Sequence, residues 1–310
     1  MKIRKVLFVL LLLGGNSAYA ATPLDSAIDN VRRNCGNLSN ELNHLKSMAG
    51  INTAVTAVGT VTSGVGLATG IAKSGVDSEI EKLEKELEEL KQSRGDVPIE
   101  HLEIEDEALF KRQVAEFIAS YQAKEQELSA AEKKSKTLGN VRTGMLAAST
   151  ATNIAGTVIA ANNRVDSDLQ TKINACKMSV NELSAAQMQA RAADTATADE
   201  LAHAGQIVHA CGAWDMVDIS SINKKSTGAT ISSGVGAALG VAGTITSASA
   251  NSDSVRNGDR DKEKNLNNAA NVLAGGTTVA SGAAVIFNAT QIGAIKRAAA
   301  AADECEGALR

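Results

Sequence analysis

Thr62-Ser63-Gly64-Val65-Gly66-Leu67-Ala68-Thr69-Gly70-Ile71-Ala72 recurs 170 residues later as Ser232-Ser233-Gly234-Val235-Gly236-Ala237-Ala238-Leu239-Gly240-Val241-Ala242. A second correspondence, at an offset of 128, relates Leu138 to Leu266, Asn140 to Asn268, Met145 to Leu273 and Thr150 to Thr278. Self-similarity of this kind decides an architecture before any local reading does. It predicts an all-α chain made of two tandem antiparallel helical hairpins, an internal duplication packed through Gly and Ala. Period-two alternation is not sustained anywhere, so no strand is expected.

Each copy is bracketed by a pair of cysteines: Cys35 and Cys176 around the first, Cys211 and Cys305 around the second. Four cysteines pair in three ways. The duplication favours Cys35–Cys176 and Cys211–Cys305, each closing one hairpin at its base. Placing Cys211 level with Cys305 centres a turn on Gly258, in a polar run from Asn251 to Arg260. That register sets Gly234 opposite Gly282 and Gly240 opposite Gly276. Placing Cys35 level with Cys176 centres a turn near residue 105, in the segment from Arg94 to Glu107. Pro98, one of two prolines in the chain, falls there, where a reversal tolerates it and a helix interior would not.

The first hairpin is longer by about 21 residues per arm, or roughly 30 Å of helix. Over about 75–136 the added length reads as a coiled coil. Ile80, Leu83, Leu87 and Leu90 recur at 3-4-3 spacing among Glu and Lys, and Val114, Phe117, Tyr121 and Leu128 offer the return face. The expected organisation is a signal peptide at 1–20, the long hairpin at 21–180, a helical linker at 181–210 and the short hairpin at 211–310. Met178, Leu183 and Met188 are its expected packing contacts around the linker, and Trp214 should pack on the second disulfide.

Residues 1–20 carry Lys2, Arg4 and Lys5, an apolar run from Val6 to Leu13, and Ala18-Tyr19-Ala20 before the expected cleavage. This pattern predicts export to a bacterial envelope, where disulfides form. Without it, 28 Lys and Arg face 35 Asp and Glu, a net charge of −7. An acidic chain is a poor partner for nucleic acid.

Segments 47–72, 143–163, 226–252 and 265–295 hold no charged residue. Each exceeds the roughly 20 residues that span a bilayer. Pairs such as Gly66/Gly70 and Gly236/Gly240 suit close helix crossing in lipid, and Gly64, Gly276 and Gly282 extend the same small-residue faces. Against embedding, the segments are poor in Leu and Phe and lack a Trp/Tyr belt. The competing reading is a soluble Ala/Gly-packed bundle with Thr and Ser on its wet faces.

No catalytic constellation can be assembled, so an enzyme is not expected, nor a cofactor, metal or small-molecule substrate. His203, His209 and Cys211 do not share a helix face, and no C-x-x-C or phosphate-loop motif occurs. The acidic stretch Glu100, Glu103, Glu105, Asp106 and Glu107 with His101 reads as a solvated tip. The expectation is a non-enzymatic envelope protein associated with a membrane, meeting a protein partner or its own copies through the coiled coil. A secreted pore-forming or lytic protein is the alternative, and a soluble periplasmic bundle the second.

Overall fold

The computed structural model describes residues 22–95, 107–256 and 258–310. The expected signal peptide, the turn near residue 105 and the acidic stretch around His101 lie outside those residues. Among the described residues the chain is all-α, with no strand. The helices are α1 (Pro23–Cys35), α2 (Leu38–Gly95), α3 (Glu107–Asn162), α4 (Ser167–Ala193), α5 (Ala198–Cys211), α6 (Ile219–Ala250), α7 (Asp253–Arg256) and α8 (Arg260–Ala308). A 3₁₀ turn, Gly212–Met216, follows α5.

The short helices begin where the sequence supplies caps. Thr22 accepts from the Asp25 backbone N–H while the Asp25 carboxylate accepts from that of Thr22, with Pro23 at the first helical position. Thr197 and Glu200 repeat this box on α5. Asp166 caps α4, accepting from Leu169 N–H at 2.8 Å. Asp194 ends α4 with φ 52°, the left-handed conformation that closes many helices.

Two compact units emerge, neither continuous in the chain. Unit 1 takes the residues up to Met48, Asn163–Lys224 and Thr290–Arg310; unit 2 takes Ala49–Asn162 and Lys225–Ala289. Unit 1 has a conventional apolar core in which Val31, Leu42, Ile173, Leu183, Ile207, Trp214, Ile222 and Ile295 are almost fully buried. Disulfides join Cys35 to Cys176 and Cys211 to Cys305, both in this unit. Ser39 donates to Asp303, and Lys172 bridges Glu41 and Asp168 at 2.9 and 2.8 Å. Hydrogen bonds to Asp168 and Glu41 raise the Lys172 pKa, at an exposed site where solvent screens the gain. Met178 and Met188, expected as packing contacts, are 62% and 65% exposed. The buried face of α4 runs through Leu169, Ile173, Cys176, Val180 and Leu183, and the two methionines lie off it.

Unit 2 contains the long runs of α2, α3, α6 and α8. Contacts between α2 and α3 pass from Thr56–Gly156 through Asp77–Ser135 to Glu86–Lys124, so the two helices run in opposite directions. Between α6 and α8, Gly228 meets Phe287 and Gly243 meets Leu273, again antiparallel. Asn52 bonds Asn288 across α2 and α8, and Arg142 bonds Ser247 across α3 and α6. The four helices therefore close a ring in the order α2, α3, α6, α8.

The buried stripe of α2 keeps 3-4 spacing over three dozen residues, from Asn52, Thr56, Gly59, Ser63, Gly66, Gly70 and Lys73 to Val76, Ile80, Leu83 and Leu87. In the later part the occupants are those of a water-soluble seam. Val76, Ile80, Leu83 and Ala131 form one apolar cluster, with Leu128 and Leu138 against it. Farther along, Phe117 and Tyr121 stack at 6.2 Å, Lys91 lies over the Tyr121 ring, and Lys124 meets Glu86 at 2.9 Å. Leu90, Val114, Phe117 and Tyr121 are half-buried there.

Candidate functional site

In the charge-free part of unit 2 the usual distribution of residues is reversed. Val61, Ile71, Ile154, Val158, Ile231, Ile245, Val272, Val279 and Ile286 all face outward, each at least half exposed. Asn52, Thr56, Ser63, Ser149, Asn153, Ser226, Ser233, Ser247, Thr277, Ser281 and Asn288 are fully buried. Among the described residues of unit 2 in these segments, Leu146 is the one large apolar side chain that is fully buried. Four helices in the structure are long and apolar enough to cross a membrane.

The interior is held by hydrogen bonds. Asn52 donates to Asn288 at 2.8 Å, and Asn288 donates to Thr56 at 3.2 Å. Ser281 donates to Asn153 Oδ1 at 3.0 Å, Asn153 Nδ2 to Ser149 Oγ at 3.3 Å, and Ser149 Oγ to the Gly59 backbone carbonyl at 3.0 Å. Ser226 donates to the Ala160 carbonyl at 2.7 Å. Threonines on the flanks, such as Thr62, Thr69 and Thr244, return their hydroxyls to carbonyls of their own helix. That habit lets a hydroxyl face an apolar medium without an unmet bond. Asn52 Oδ1 and Ser233 Oγ are buried without a partner.

Small residues make this interior possible. A side chain at Gly236 would meet Asn153 at 3.1 Å, and one at Gly66 would meet Leu146 at 3.4 Å. Gly70 lies against Arg142 and Asn271, Gly240 against Thr150, and Gly276 against Leu239. The space beside these glycines is thus filled by polar and branched side chains from neighbouring helices. Neither Gly64 nor Gly282 has a neighbour within 4 Å of a side-chain position, and Gly234 meets only Thr157 there, at 4.0 Å. The two matched stretches carry the same order of buried and exposed positions over 61–70 and 231–240.

At one limit of the charge-free segments the interior ends in a cluster of ions. Lys73, fully buried, donates to Asp77 at 2.7 Å and to Glu263 at 2.8 Å. Ser135 donates to the other Asp77 oxygen at 2.5 Å. Arg142, also fully buried, donates to Ser247, Asn271 and Asn267 at 2.8, 3.1 and 2.7 Å. Asn267 in turn donates to Asp77 at 3.1 Å. One network therefore joins all four long helices. Two clefts of about 350 and 440 Å³ flank it, both lined by Asp77, Arg260 and Glu263. The 3-4 stripe makes this network readable in hindsight: Lys73 occupies a buried position of α2 between Gly70 and Val76, where a charge needs a partner.

One group of potential metal ligands lies close together among the described residues: Cys35, Cys176 and Cys305. All three sulfurs are held in disulfides and so offer no thiolate. Cys211, set beside His203 and His209 in sequence, is likewise oxidised.

Removing Arg142 takes the donor from Ser247, Asn267 and Asn271, at a cost of about 1–3 kcal/mol for each buried acceptor left unmet. Arg142→Ala should therefore lower the thermal midpoint of the purified protein sharply. Arg142→Lys should recover only part, because a single ammonium cannot serve three divergent acceptors. Arg112→Ala, at an exposed position, serves as control. An Arg142→Ala melt coincident with the parent would contradict the network.

The chain matches no protein-family model, and comparison with curated proteins and with solved structures finds no match.

Proposed function

We propose that the chain is a non-enzymatic, exported envelope protein whose unit 2 is embedded in a membrane, with unit 1 as a disulfide-tied soluble domain. The observation that carries this reading is the change of occupants along one buried stripe of α2. Up to Lys73 the stripe is polar and the outer face apolar; from Val76 the stripe is apolar and the outer face charged. Water favours the second arrangement, because it rewards burial of apolar surface. Hydrocarbon favours the first, because it gives no reward for burying Val and penalises unmet polar groups. From Ile51 to Ile71, 21 residues, the apolar face is roughly 30 Å long, the thickness of a bilayer core.

The apolar seam of 76–90 and its return arm form, on this reading, a projection toward a protein partner or a second copy. The two-hairpin duplication proposed from the repeats fits the shared burial pattern of 61–70 and 231–240.

Val61 and Val279 stand near the middle of their outer faces and are 65% and 74% exposed. Aspartate at a bilayer centre costs about 2.5–3.5 kcal/mol, whereas an exposed substitution in water changes stability by about 0.5 kcal/mol or less. The parent should sediment with carbonate-washed membranes, and Val61→Asp with Val279→Asp should release it. Recovery of the parent in the soluble fraction would overturn the membrane reading.

Deleting 78–90 together with 121–133 should leave both disulfides and membrane retention intact while abolishing association with a partner or with itself. Unchanged association in cross-linking would remove the role given to the coiled coil.

A further inference from the structure

Unit 1 draws its four cysteines from four helices. Cys35 ends α1, Cys176 lies in α4, Cys211 ends α5 and Cys305 lies in the last turns of α8. The sulfurs of Cys35, Cys176 and Cys305 all stand within 4.8 Å of one another, although Cys305 is bonded to Cys211. Each cysteine is 1% exposed or less. Two disulfides that merely tie separate helices have no need to share one locus. Here, a sulfur of one bond lies within reach of both sulfurs of the other.

We propose that the two disulfides form one exchange-coupled site whose co-reactant is a small dithiol. The dithiol cleaves Cys211–Cys305, supplying two electrons and two protons, and is itself oxidised to a disulfide. Cys211 and Cys305 are left as thiols. Cys305 then loses its proton to solvent, and its thiolate attacks the sulfur of Cys35 or Cys176. A new S–S bond forms to Cys305, the Cys35–Cys176 bond breaks, and its electron pair leaves on the displaced sulfur, which takes up a proton. No further oxidant or reductant is consumed, since exchange only moves the remaining bond. A single reductive event is thereby shared among α1, α4, α5 and α8, and unit 1 keeps a covalent tie wherever the event strikes.

The test uses the full mature chain with Cys211→Ser, which leaves Cys305 as the one unpaired sulfur. Free thiols are alkylated in the folded protein, with helicity checked by circular dichroism, and located by peptide mapping. Exchange puts at least about a tenth of the label on Cys35 and Cys176 together, the share left when the original bond is favoured tenfold. Label confined to Cys305 overturns the proposal. Should that variant not fold, Cys35→Ser frees Cys176 instead. Attack on Cys305 then moves label to Cys211, and label held on Cys176 alone overturns the proposal. In the unsubstituted protein, one equivalent of dithiothreitol should yield peptides joining Cys305 to Cys35 or to Cys176. If every cross-linked peptide carries an original pair throughout reduction, the proposal also fails.

Discussion

A buried position on a helix must be filled by something its surroundings can satisfy, and α2 meets that constraint in two opposite ways along one stripe. From Asn52 to Lys73 the stripe is filled by Asn, Thr, Ser, Gly and one lysine; from Val76 to Leu87 it is filled by Val, Ile and Leu. The geometry does not change, since the spacing stays three and four throughout. Only the chemistry changes. The partner helices change with it: Arg142 and Asn153 of α3 are buried in the polar zone, and Ala131 with half-buried Leu128 lines the apolar one.

The same contrast separates the two units. Unit 1 buries Leu, Ile, Val and Trp, the arrangement that the hydrophobic effect stabilises in water. Unit 2 exposes Val and Ile over its charge-free length and buries amides and hydroxyls. Such a bundle gains little from transferring its core out of water. Its cohesion must come from close contact at glycine and from hydrogen bonds, which are worth roughly 0.6 kcal/mol each between helices in lipid. The ion cluster of Lys73, Asp77, Glu263 and Arg142 closes that zone. Full burial of two basic side chains is tolerated because each is met by oxygen acceptors.

Much of this was legible in the sequence, and what was missed had physical reasons. Missing period-two alternation was enough for an all-helical chain, and Ile80, Leu83 and Leu87 announced a buried seam because large apolar residues stood among charges. The polar core was not legible. Asn52, Ser233 and Ser281 belong to residue types that usually seek water, so a soluble reading places Ser and Thr outside, whereas Thr56, Ser63, Ser149, Ser226, Thr277 and Ser281 are buried here. Lys73 and Arg142 stand at the limits of the charge-free segments, and only their neighbours Glu263, Asn267 and Asn271 of α8 and Ser247 of α6 show why they are buried. Spacing along a hairpin sets level but not rotation about each helix axis, so it could not say which side chain meets each glycine, such as Thr157 at Gly234. Met178 and Met188 failed as packing contacts for the same reason, as apolar residues off the face that α4 buries.

Photolabelling from within the bilayer addresses the inverted zone directly. A lipid carrying a carbene precursor in its acyl chain, activated in vesicles containing the protein, marks side chains that touch hydrocarbon. Embedding of unit 2 predicts adducts on the outward residues of 51–71, 141–158, 231–245 and 272–287. It predicts none on buried Asn52, Asn153 or Ser281, and none in unit 1. Adducts spread over unit 1, or an absence of adducts from those four stretches in vesicles that retain the protein, would contradict it.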